Sequence, residues 1–220
     1  MLAEGPTPGV ASVSLLMLML VACTTPSVDG AAPAYDPTSL TSGVVYHWPV
    51  GSDIAIHVVE ATPSAQLGAT ARAAAADWAR SLAYREHVLR FVDDATLADI
   101  IIRDSRAASP VETTGCGGPG WSDPAGSTFF CPAGDTARTL ELVSGAAGRT
   151  KVLITISVAT AGTDALLPIV LHEIGHALGI GGHSPAPADA MFGAPTAVSP
   201  SARDARTLRY LLHQRPDVTL

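Results

Sequence analysis

The sequence predicts an α/β domain, and three observations carry that expectation. Asp53 to Val59, Ala98 to Arg103 and Lys151 to Val158 are short, β-branched runs of the kind that form buried strands. An alanine-rich stretch with apolar residues at three- and four-residue steps lies between the first two. A second helical stretch, Thr163 to Leu178, follows the third. Strands alternating with helices favour a layered sheet backed by helices.

In chain order, Asp53 to Val59 (DIAIHVV) alternates as a strand. Pro63 and Ser64 then open a helix that runs to about Tyr84. Ala69 to Ala83 has high intrinsic helix propensity, and Leu67, Ala71, Ala74, Trp78 and Leu82 mark the side to be buried. Phe91 and Val92 begin a short strand, and Ala98 to Arg103 forms a stronger one. From Ser105 to Thr150 the chain is rich in Gly, Pro and Ser and reads as a long loop with one strand near Ser127 to Cys131. Lys151 to Val158 returns to strand. Thr163 or Asp164 caps the next helix, in which Pro168 is tolerated near the first turn. Gly179 to Pro200 is irregular, and Ser201 to His213 forms a closing helix.

Composition bounds the function. The chain has 220 residues and a formal charge of −7, with twelve Arg and one Lys scattered along it. That balance points away from nucleic acid, whose binding needs a basic face. Apolar residues make up 47% of the chain and aromatics 5%, so the core is built from Ala, Val, Leu and Ile. Val13 to Ala22 is apolar apart from Ser14, too short to span a membrane and the length of a signal-peptide core. It ends in Leu20-Val21-Ala22-Cys23, which resembles the lipobox of bacterial lipoproteins. That resemblance implies export, removal of residues 1–22 and a lipid anchor on Cys23, although no Lys or Arg precedes the apolar run. Thr24 to Ser42 is rich in Pro, Ser and Thr and reads as a flexible linker before a domain at 43–220. With Cys23 set aside, Cys116 and Cys131 remain, and an even pair in an exported domain most often forms a disulfide.

The chemistry sits at His172-Glu173-Ile174-Gly175-His176. Four residues advance a helix by about 6 Å and turn it by about 400°, so His172 and His176 share a face. Two imidazoles one turn apart reach a single zinc, and Glu173 flanks them where it meets water rather than metal. Gly179 stops the helix and turns the chain, and His183 follows as a candidate third ligand.

Continued to His183, the segment resembles the extended zinc motif of metzincin metallopeptidases, and Met191, eight residues beyond, resembles the Met-turn of the matrixin branch. Ala76-Asp77-Trp78, Arg90-Phe91-Val92, Ala98 to Ile102 and Ser199 to Leu212 resemble the helices and strands around it, so the likeness covers about residues 43 to 214. One departure is visible. The family places the third His three residues after the Gly, whereas Gly181-Gly182 makes it four here. A bulge at the two glycines would still deliver His183, and Asp189 stands as the alternative third ligand.

The resemblance implies a twisted mixed sheet with two helices and a small irregular C-terminal part ending in a helix. The cleft would lie beneath an edge strand along which a peptide extends. It implies one catalytic zinc on His172, His176 and His183, and a monomeric endopeptidase in which Glu173 is the catalytic base. Protein or peptide substrates outside the cytoplasm follow, with membrane contact only through Cys23. Calcium is a further candidate at Asp123 and Asp135, while His47, His57 and His87 read as ordinary surface or strand histidines. The competing reading is a catalytically inactive surface lipoprotein that keeps this fold as a binding or adhesion module.

Overall fold

The computed structural model describes residues 32–61, 66–82, 84–108, 120–123, 126–132 and 150–220. The apolar leader, Cys23, Cys116 and Asp135 lie outside them, as do the side chains of Asp123 and Cys131, so the anchor, disulfide and calcium expectations fall outside the described residues.

Three β-branched strands form the centre because each can bury both of its faces. They are β2 (Ser52–Val59), β4 (Ile100–Asp104) and β7 (Thr150–Ile156). With β3 (His87–Phe91), β5 (Gly120–Asp123) and β6 (Gly126–Pro132) they make a six-stranded sheet in the order β3-β2-β4-β7-β6-β5. The first four are parallel to one another, while β6 runs antiparallel to β7 and β5 antiparallel to β6. Ile56 pairs with Ile100 and Ile100 with Val152, which sets the buried row on one face. Ile54, Ile56, Ile100, Ile102, Ile154 and Ile156 join the helices in the main core. Ala98, Ile101 and Leu153 form a smaller cluster of their own.

Helix α1 (Gln66–Ser81) buries Leu67, Ala71, Ala74, Ala75 and Trp78. Leu82, just past its end, is buried too, so the three- and four-residue steps name the correct face. Trp78 donates from its indole to the Leu171 carbonyl (2.8 Å), locking α1 to the second helix. That helix, α2 (Val158–Leu178), begins earlier than the sequence suggests and bends at Gly162, where φ is 70°. Regular helix therefore starts near the expected Thr163. Pro168 falls in its second turn rather than its first, where it withholds a donor from the carbonyl of exposed Asp164. Helix α3 (Ala202–Leu212) opens with a reciprocal cap: Ser201 Oγ accepts from the Asp204 amide, and the Asp204 carboxylate accepts from the Ser201 amide.

Two features are absent from the sequence expectations. Tyr46–His47 (β1) pairs in parallel with Val218–Thr219 (β8). And β6 is not an edge strand, because β5 occupies its outer side. Among the described residues no helix is long and apolar enough to cross a membrane.

Candidate metal centre

Helix α2 carries His172 and His176 on one face, and both are fully buried. It ends at Gly179, whose φ of 130° suits only glycine and whose missing Cβ would lie 2.8 Å from the Tyr46 carbonyl oxygen. The chain turns there and brings back half-buried His183. The three imidazole centroids are 4.7, 5.0 and 5.4 Å apart. One nitrogen from each ring lies within 4.8 Å of the other two, so the three histidines could hold a metal ion. The longer glycine spacing therefore does not keep His183 from the group.

Main-chain carbonyls set the chemistry of two of the rings. His172 Nδ1 lies 2.7 Å from the Ala190 oxygen, and His176 Nδ1 lies 2.6 Å from the Ile180 oxygen. A carbonyl only accepts, so each Nδ1 carries the proton and each Nε2 keeps its lone pair. Neutral imidazoles held in one tautomer by a backbone oxygen are the usual form of a metal-binding histidine. Burial, then the neighbouring His172, holds the pKa of His176 well below its ordinary value, so it stays neutral at physiological pH.

Glu173 is fully buried and turns toward the sheet. Thr128 of β6 donates to its Oε2, and a Cβ at Gly126 would sit 2.8 Å from its Oε1. The carboxylate is thus fixed against β6 and lies outside the histidine group, as the helical spacing suggests. Met191 is fully buried, with its sulfur packed against Gly175, one residue before His176.

Asp189, the alternative third ligand, is engaged elsewhere. Its carboxylate accepts from Ser184, from Ser201 Oγ (2.7 Å) and from Arg203 Nε (2.9 Å). Burial alone would raise its pKa, but these three donors outweigh burial and hold it below the usual carboxylate value. It staples the loop after His183 to the start of α3.

Asp204 does more than cap its helix. Its carboxylate accepts from the Ala190 amide and the Ser201 amide, both at 2.8 Å, and from the Tyr35 hydroxyl, also at 2.8 Å. Since Ala190 also receives the proton of His172, Asp204 holds the same residue that anchors that imidazole. Sequence reasoning passed over Asp204, Thr128 and Tyr35. Only Asp204 left a signal, in the Ser201-x-x-Asp204 capping spacing. Of the other histidines, His57 and His47 bond main-chain oxygens, while His87 is buried with neither ring nitrogen bonded among the described residues.

The chain matches no protein-family model and no curated protein.

Proposed function

We propose that the protein is a zinc-dependent endopeptidase of metzincin-like, matrixin-like type that cuts proteins or peptides outside the cytoplasm. The observation that supports this most is the join of a three-histidine group, two of its members fully buried, to a buried carboxylate one residue after its first member. Three imidazoles suit zinc, which when bound acts as a Lewis acid on a carbonyl and makes water more acidic.

The chain's own groups do the rest. His172, His176 and His183 would hold the ion. Glu173 takes a proton from the attacking water and passes it to the leaving amine, and Thr128 holds that carboxylate in one orientation. Met191 underlies the helix that carries the ligands. Since β5 is the outermost strand on this side of the sheet, an extended peptide adding to that edge meets β5 first. Export, with a lipid anchor at Cys23, places the substrate in the cell envelope or beyond it.

The test is zinc content of the purified protein together with cleavage of an unstructured protein substrate. One zinc per chain is expected, with cleavage lost by roughly a hundredfold or more in Glu173→Gln while zinc is retained. Zinc-free folded protein would overturn the reading and leave the non-catalytic binding module in its place.

A further inference from the structure

Residues of the segment that precedes β2 touch the support of every histidine in the group. Tyr46 donates its hydroxyl to the main-chain oxygen of His176 (3.0 Å), and Trp48 donates to that of Ala177 (2.9 Å). Tyr35 donates to Asp204, which holds the Ala190 amide, and Ala190 in turn anchors His172. Burial, with Asp204 beside it, holds the Tyr35 phenol far above its ordinary pKa, so it remains a donor.

The third connection is the tightest. Leu40 donates its amide to the Gly181 oxygen (2.9 Å), two residues before His183. A Cβ on Gly181 would fall 2.6 Å from Thr41 Cγ2, and one on Gly182 would collide with the main-chain oxygen of Asp36. Neither glycine has the positive φ that Gly179 has. They are needed here for space: Gly182 lies against the main chain of Asp36 and Pro37, and Gly181 against the side chains of Thr41 and Tyr46, so no added side chain fits at either position. Thr41 is itself pinned, its hydroxyl lying 3.0 Å from the Thr38 oxygen and 2.8 Å from the Val44 oxygen. Packing from one side by a fixed segment is what keeps a glycine-rich loop from wandering.

We propose that residues 35–46 form a brace that positions the three histidines, and that the contact of Asp36, Leu40 and Thr41 with Gly181-Gly182 sets how tightly His183 binds the ion. This rests on the metal reading above. The residues concerned are positioning residues that meet neither metal nor substrate. The part of the linker that leads into the domain is then a working part of the centre, and whatever pulls the brace away weakens metal binding.

Full-length protein tests this through zinc affinity, measured by chelator competition, and through the visible spectrum after loading with cobalt(II). Gly181→Ala should weaken zinc at least tenfold and lower the cobalt absorption as His183 is lost from the ion. Gly181→Ala combined with Thr41→Ser removes the closest of the three crowding atoms but keeps the hydroxyl, and should restore both readouts in large part, with the Tyr46 ring left 3.0 Å from the new methyl. A merely structural defect would lower melting temperature without changing the cobalt spectrum. Tyr35→Phe, which deletes one hydroxyl, serves if the glycine variant does not fold, and should weaken zinc at least threefold. Wild-type affinity and spectrum in these variants would overturn the brace and leave the metal reading standing. A wild-type protein that takes up no metal would overturn both.

Discussion

The hydroxyl of Thr128, on β6, is bonded to the Oε2 of Glu173, on α2, and both side chains are fully buried. A carboxylate held this way keeps one orientation without help from solvent. Thr128→Val should therefore lower turnover while leaving zinc content unchanged. A hydrogen bond to a charged group contributes roughly 1.5–3 kcal/mol, equivalent to about a tenfold to hundredfold loss. Thr128→Ser should retain most of the rate. Full turnover in the valine variant would show that this bond plays no part in the base's work.

Asp204 joins three segments through one carboxylate: the start of α3 at the Ser201 amide, the loop at the Ala190 amide, and Tyr35. Its removal leaves buried amides without acceptors. Asp204→Ala should lower stability by roughly 3 kcal/mol, from the lost cap and the orphaned donors together. Chemical denaturation measures it, and a loss under about 0.5 kcal/mol, the scale of an ordinary surface change, would contradict the assigned role.

Asp189 separates ligand from scaffold. Asp189→Asn should keep full zinc stoichiometry yet cost roughly 2 kcal/mol of stability near neutral pH. Its carboxyl lies below its ordinary pKa in the fold, so its contribution is present above the unfolded value near 3.9. The difference between variant and wild type should shrink as pH falls through that value toward the folded one. Loss of zinc in the variant would return Asp189 to the ligand set.

His87 sits at the start of β3, and burial, then the nearby His47, pushes its pKa down to about 4. The unfolded chain binds this proton near pH 6.5 and the fold refuses it until about 4. Stability should therefore decrease as pH drops from about 6.5 to about 4, by up to roughly 3 kcal/mol from this group. His87→Leu removes both the titration and two unbonded nitrogens, so it should melt higher than wild type near pH 5 and differ less near pH 8. Parallel melting curves at the two pH values would show that His87 is not the source.

The chemistry-bearing helix and the central strands were legible in the sequence because each carries a strong period or an unbroken β-branched run. His172 and His176 follow from one turn of helix, and Leu67, Ala71, Ala74 and Trp78 from another. What was hidden is what depends on space rather than pattern. Two-residue strands such as Tyr46–His47 and Val218–Thr219 are too short to show a period. Residues 34–42 have the composition of a linker, yet Tyr35 and Thr41 are buried, held by a phenol, a hydroxyl and close main-chain approach. Gly181-Gly182 looked like flexibility, and its use is proximity. The Thr128 to Glu173 bond crosses 45 positions, and no local signal announces it.

The pairing of β1 with β8 also dictates an order of assembly. Val45 meets Asp217 across 172 positions, so this clasp can close only once nearly the whole chain has been made, and its long loop is costly to close early. Tyr46, inside the clasp, is the residue that steadies His176. The histidine helix is expected to form before its support does, which would make high-affinity metal capture a late event in folding. In refolding experiments zinc uptake should lag behind the recovery of helical signal; simultaneous recovery would refute that order.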